Sequence, residues 1–211
     1  MFCCFERKAS STTNKGTLLD SKCVYHSRAE NFRRLVWTKV CMGQKLKTIR
    51  SSSHKRWFSK DDAFDKMLLE NFEAEIINFN EAKQGASIDA ILLHDQVTRN
   101  IYRGTPKSFS GDAIGQRLAK LLLPKLMEMP VYEAAFALMP LMHSEKLEDH
   151  KICLEMFTKL HEKCTSTNND AADAMAYFIK FEKDHVEPIE KFGRYPSRNA
   201  ILGRESTPEE L

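Results

Sequence analysis

The residues best suited to chemistry fall in three short stretches of a 211-residue chain. The first runs Ile91-Leu92-Leu93-His94-Asp95-Gln96-Val97-Thr98-Arg99-Asn100-Ile101-Tyr102-Arg103-Gly104. Its apolar residues fall on nearly every side of a helix, which predicts burial. At about 100° per residue, however, Asp95, Gln96, Arg99, Asn100 and Arg103 share an arc of about 140°. Buried charges must find partners. In one reading Asp95 pairs with Arg99 at i,i+4, while Gln96 and Asn100 tie down neighbouring loops. In the other, the arginines line a polar pocket and bind an anion through their forked donors.

The second stretch, Phe192 to Ser206, sets Arg194, Arg198 and Arg204 among Gly193, Pro196 and Gly203, with Asn199 and Glu205 beside them. A loop with fixed turns and several guanidinium donors suits a binding site. It equally suits a C-terminal strap clamped onto the rest of the chain by Arg–carboxylate pairs. It also echoes the first stretch: Arg198-Asn199 precedes apolar residues and Gly203, as Arg99-Asn100 precedes Ile101-Tyr102 and Gly104. The third stretch, Met139-Pro140-Leu141-Met142-His143-Ser144-Glu145, offers a His, a hydroxyl and a carboxylate at a Pro-interrupted helix end. His143 is a candidate general base. Adjacent residues point in different directions, so the three are not a triad by themselves. Ser144 is expected to cap the next helix, with Glu145 and Glu148 in its first turn.

Other chemistries find no motif. The histidines lack metal-ligand spacing, and neither a phosphate-binding glycine loop nor a nucleophile elbow is present, so no metal or cofactor is expected. Cys3, Cys4, Cys23, Cys41, Cys153 and Cys164 form no CxxC pair and read as reduced thiols.

The elements that must position these residues are helices. Eight Gly and seven Pro fall below the roughly 12% of an average chain and disfavour a turn-rich β architecture. Asp61 or Asp62 caps a helix that reaches about Lys83, and Gly85 ends it. Ser87 caps the next, which runs to about Tyr102. Further helices are expected from about Asp112 to Leu123, from Val131 with Pro140 kinking or closing it, from Glu145 to Lys163, and from Asp170 to Lys191, where Gly193 ends the last. No period-2 strand is legible. The fold class is all-α, built of antiparallel helical pairs. No apolar run of about 18 residues is present to span a membrane.

Charge divides the chain before Trp57. Residues 1–56 hold 13 Lys/Arg against 3 acids, a net +10, and the remainder carries −7. The basic segment reads as an N-terminal extension or as a mitochondrial transit peptide, placing the protein in the matrix or the cytoplasm rather than outside the cell. Residues 57–211 read as one helical domain. Nucleic acid is disfavoured as a partner, since no recognised module accompanies the basic residues.

Three ordered motifs carry a resemblance: Ile91-Leu92-Leu93-x-Asp95-Gln96-x-x-Arg99-Asn100-Ile101-Tyr102-Arg103-Gly104, then Pro140 to Glu145, then Phe192-Gly193-Arg194-Tyr195-Pro196-x-Arg198-Asn199 through Glu210. Over about residues 57–211 the chain resembles domain-of-unknown-function family 924, with Trp57-Phe58 and Phe64-Asp65 matching its opening. The resemblance implies a helical fold similar to tetratricopeptide repeats and brings no established activity. It carries over Asp95, Gln96, Arg99, Asn100, Arg103, His143, Ser144, Glu145, Arg194, Arg198, Asn199, Gly203, Arg204 and Glu205. His94 and Val97-Thr98 depart from the family pattern, and family members continue beyond the equivalent of Leu211.

Three functions are compatible with these residues. The foremost is a binding module, in which an Arg-rich pocket built from Asp95, Gln96, Arg99, Asn100, Arg103, Glu145, Arg194, Arg198, Asn199, Arg204 and Glu205 holds an anionic small molecule or an acidic peptide. The second is an enzyme with His143 as base beside an anionic substrate. The third is a structural or interaction protein whose polar row only fixes the fold.

Overall fold

A computed structural model of the chain describes residues 60–211. The basic segment 1–56 with its four cysteines, and Trp57-Phe58, lie outside the described residues. Among those described, every regular element is helical: α1 (Asp62–Ile77), α2 (Glu81–Gln84), α3 (Ile88–Leu92), a π-helical turn (Leu93–Val97), α4 (Thr98–Ile101), α5 (Asp112–Leu122), α6 (Val131–Met142), α7 (Leu147–Ser166), α8 (Ala172–Phe192) and α9 (Asn199–Leu202). No helix among them is long and apolar enough to cross a membrane.

Local chemistry sets most ends. Asp61 accepts the Phe64 N–H at 3.0 Å, and Ser87 accepts the Ala90 N–H at 3.2 Å. Gly85 and Gly193 close their helices at φ +67° and +69°, where a side chain would be strained. The expected single helix from Asp61 to Lys83 is instead broken at Asn78–Asn80. The Asn78 side-chain amide doubles the backbone bond to the Ala74 carbonyl at 2.7 Å, and the Asn80 side chain accepts the Lys83 N–H at 3.2 Å, so the two asparagines cap the end of one helix and the start of the next. Ser144 does not cap α7 either. Its hydroxyl is turned inward, donating to Asp149 at 2.7 Å, and Lys146 occupies the cap position.

α6, α7 and α8 are consecutive neighbours, with α7 and α8 sharing the most extensive contact and α5 packing on α6. Leu118, Leu138, Leu141, Phe157, Leu160 and Met175 are fully buried between them, and Phe157 stacks on Phe178 with 5.3 Å between ring centres. Cys153 and Cys164 are buried free thiols of this core. The polar segment predicted to be buried is so: residues 91–98 are all inaccessible, charged side chains included.

Gly111 lets that segment meet the start of α5. A Cβ there would overlap the His94 carbonyl group, with no flexible side chain able to move aside. His94 itself is 1% exposed, lies edge-on to Phe79, and leaves its Nε2 without a hydrogen-bond partner. Burial, aided by the Arg117 charge, holds its pKa at about 4. Its unfolded value is near 6.5.

Two outcomes follow. Gly111→Ala should lose about 3 kcal/mol in denaturant unfolding, because backbone must move. Since the folded pKa of His94 is the lower one, its contribution is intact above pH 6.5 and is lost as pH falls toward about 4. His94→Leu should flatten that acid limb of the unfolding free energy, whose size is about 3 kcal/mol.

Candidate functional site

Asp95 lies inside the π-helical turn, 1% exposed. The wider turn sets aside the regular bonding pattern, and the Thr98 hydroxyl takes the His94 carbonyl at 2.6 Å. Asp95 Oδ1 accepts His143 Nδ1 at 2.7 Å, and lies 3.4 Å from Arg99; Oδ2 accepts the Gln96 amide at 2.6 Å. Burial opposes ionisation, but His143, Arg99 and these donors outweigh it, and the carboxyl is held well below the usual range. An ionised carboxylate only accepts, so Nδ1 of His143 carries the proton.

His143 closes α6, where Pro140 lies inside the helix rather than ending it. Its side chain is 14% exposed. Burial lowers its pKa below the ordinary imidazole value, Asp95 offsets this only in part, and Arg99 adds to it. The ring is therefore neutral at pH 7, with the Nε2 lone pair unclaimed among the described residues. This is the arrangement of a base oriented by a carboxylate. His185 of α8 stands 6.1 Å away, ring centre to ring centre, with its Nδ1 donating to the Phe181 carbonyl.

The two Arg–Asn motifs converge here on one residue that sequence reasoning took only as a helix start, Asp112. Arg99 reaches its Oδ1 at 2.7 Å and Arg198 reaches its Oδ2 at 3.1 Å. Both guanidiniums also lie over the Phe109 ring, Arg99 at 5.5 Å and Arg198 at 4.7 Å. Burial raises the Asp112 pKa despite the two arginines. The likeness between the copies continues: Asn100 accepts from Arg103, Asn199 accepts from Arg204, and Gly104 and Gly203 both follow at positive φ. The sequence echo is thus repeated in space.

The predicted pocket residues do not all meet. Asp95, Gln96, Arg99, His143 and Arg198 join in one hydrogen-bonded network with Asp112. Arg103 turns away to Asp65 of α1 at 3.0 Å, and Asn100 bonds the Gln96 carbonyl. Arg194, Asn199, Arg204 and Glu145 belong to a clamp instead. Arg204 grips both oxygens of Glu145 at 2.8 and 3.0 Å, and the Tyr195 N–H adds a third bond to that carboxylate. Arg194 grips Glu210 in the same forked way, and Asn199 supports it. The Glu210 carboxyl is held at about 2, chiefly by Arg194. Glu205 contributes only its carbonyl, to Arg194, and its side chain is exposed. The C-terminal strap reading describes this second cluster. Among the described residues no group of His, Cys, Asp or Glu is arranged to hold a metal ion.

Breaking the clamp has a measurable effect. Arg204→Ala leaves Glu145 without its bidentate partner and should cost about 2 kcal/mol. Limited proteolysis should then cut the segment after Gly193 faster than in the wild type.

The family model described as "Bacterial protein of unknown function (DUF924)" matches residues 36–211, starting within the basic segment upstream of Trp57. No curated protein matches the chain. Among solved structures, a protein of unknown function from Agrobacterium tumefaciens is similar. It is 23% identical, with a TM-score of 0.64, and the match covers 90% of this chain and 96% of that one. At that identity the likeness bears on fold alone, and it agrees with the all-α architecture. The three motifs built around Asp95, His143 and Arg198 all lie inside the matched residues, and the chain belongs to the DUF924 family.

Proposed function

We propose that the protein is an enzyme of the acid–base type, in which His143 accepts a proton through Nε2 from a substrate or from a water molecule beside it. The observation that carries this reading is the 2.7 Å bond from His143 Nδ1 to the buried Asp95 carboxylate, while the side chain keeps 14% exposure and Nε2 has no hydrogen-bond partner among the described residues. One ring nitrogen is held in a fixed tautomer and the other is left to act.

Among the described residues no free hydroxyl nucleophile accompanies the base. Ser144 is fully buried and donates to Asp149, and the Tyr195 hydroxyl donates to the Met142 carbonyl at 2.6 Å. The reaction is therefore direct proton abstraction or activation of water, without a covalent enzyme intermediate. An anionic group on the substrate fits the unused donors of the neighbouring arginines. Arg99 Nε is buried without a partner even though its Nη2 is committed to Asp95 and Asp112.

The same donors support binding without turnover, and the experiment separates the two. The full chain is screened by thermal shift against inorganic phosphate and small carboxylates, and for hydrolysis of nitrophenyl phosphates and carboxylates. The acid–base reading expects turnover that falls at least a hundredfold in His143→Gln with helicity retained. Its rate should rise with pH through a value below 6.5, since the base must be unprotonated and burial lowers its pKa. Binding that depends on Arg99 with no turnover makes the protein a binding module. Neither binding nor turnover leaves the polar row with a role in the fold.

A further inference from the structure

Beside the His143 network lies a second buried cluster that the proposed reaction does not use. His150 of α7 and Glu182 of α8 are both shielded completely from solvent, and His150 Nδ1 lies 2.7 Å from Glu182 Oε1. The other ring nitrogen, Nε2, lies 2.8 Å from the Ser144 carbonyl oxygen. A carbonyl only accepts, so Nε2 carries a proton. Nδ1 faces a carboxyl oxygen at hydrogen-bond distance, so a second proton lies between them. The pair is neutral overall, whichever of the two atoms that proton rests on.

The segment this pair touches is the one that carries His143. Three consecutive carbonyls, those of Met142, His143 and Ser144, are each held by a side chain from elsewhere. Tyr195 holds the first at 2.6 Å, Arg198 the second at 2.8 Å and His150 the third. Arg198 is permanently charged, and burial pushes the Tyr195 hydroxyl pKa up, so neither donor is lost near neutral pH. His150 is the donor of the three that titrates nearest to neutrality. Burial lowers its pKa, but Glu182 and the Ser144 carbonyl outweigh this and raise it above the ordinary imidazole value.

The other titratable groups around the pair are already engaged. On α7, Asp149 is occupied by the Ser144 hydroxyl and by Lys120 of α5, and the Cys153 thiol, kept protonated by burial and by the Glu182 carboxyl beside it, also reaches the Leu138 carbonyl at 3.6 Å. On α8, His185 donates to its own helix, and from the strap the Tyr195 hydroxyl stands 3.4 Å from Nε2 while committed to Met142.

We propose that His150 and Glu182 are positioning residues for His143, acting as a latch that grips the Ser144 carbonyl only while the pair keeps its second proton. The proposal rests on His143 being the base of the acid–base site. With one proton gone, the remaining one cannot serve both directions. On Nε2 it leaves the Nδ1 lone pair facing a carboxylate; on Nδ1 it leaves a buried carbonyl without a donor. Because the folded pKa is the raised one, the latch is closed below about pH 6.5 and opens as pH rises through the folded value.

The test follows the His143 Nδ1–H resonance by proton–nitrogen NMR on the full chain, which needs no substrate. In the wild type it should be present at pH 6 and lost as the pH is raised. In Glu182→Gln it should persist over that range, because the amide N–H donates to Nδ1 while Nε2 keeps its proton for Ser144. In His150→Phe it should be absent at pH 6 with the helical circular dichroism intact. A folded His150→Phe protein that keeps the resonance at pH 6 overturns the latch, as does an identical alkaline loss in wild type and Glu182→Gln. Should His150→Phe fail to fold, the comparison of wild type with Glu182→Gln decides alone. Failure to find turnover would remove the acid–base reading without altering these spectra, so the two failures are distinguishable.

Discussion

The arrangement depends on keeping one carboxylate charged in the interior. Asp95 is 1% exposed, and an isolated carboxylate there would cost several kcal/mol. His143, Arg99 and Gln96 remove that cost, and they contribute from two separate pieces of backbone. Gln96 and Arg99 come from the same helical segment, widened by its π-helical turn. His143 arrives from the end of α6, which must therefore stop beside Asp95. Gly111 allows the start of α5 to press against the same segment, and this brings Asp112 to Arg99. The geometry of three segments follows from solvating a single charge.

Asp112 extends the network to the C-terminal strap. Its two oxygens are divided between Arg99 and Arg198, so the helical core and the strap are tied through one side chain. The strap then holds the His143 loop from outside through Tyr195, Arg198 and Arg204, while His150 holds it from inside. The repeated Arg–Asn motif is the visible trace of this in the sequence. Each copy supplies an Asp112 ligand and an Asn that steadies a following arginine. Fork-shaped guanidiniums suit this task because they satisfy two acceptors in fixed directions.

Helix identity was legible because local signals and tertiary packing agree here. Ser87, Gly85 and Gly193 mark ends by chemistry confined to a few residues, and the structure uses them so. The burial of residues 91–98 was legible from apolar residues on all faces. What stayed hidden depends on partners distant in sequence. Asp112 looks like an ordinary first-turn acid until Arg99 and Arg198 reach it. His150 and Glu182 lie on separate helices and have no motif between them, so only the packing of α7 on α8 joins them. The π-helical turn leaves no periodicity of its own, because the apolar residues around Asp95 are continuous. Ser144 misled for a related reason: its cap-like position is overridden by Asp149, a partner of only five residues' separation but made available by Lys120 of α5.

The arginine-rich composition pointed first to an anion pocket, and the placement of the carboxylates redirects that argument. Arg103, Arg194 and Arg204 are each matched to an acid outside the Asp95 network, and their charges are spent on holding the chain together. Within that network, Arg99 and Arg198 are balanced by Asp95 and Asp112, so long-range attraction for an anion is weak and any ligand must be recognised by short hydrogen bonds. Charge balance also favours the base. A cleft with strong positive potential would lower the His143 pKa further and weaken it as a proton acceptor, whereas a negative one would keep it protonated. Near-neutral surroundings, one fixed tautomer and one open nitrogen suit His143 to the proposed role, taking a proton at neutral pH and releasing it again.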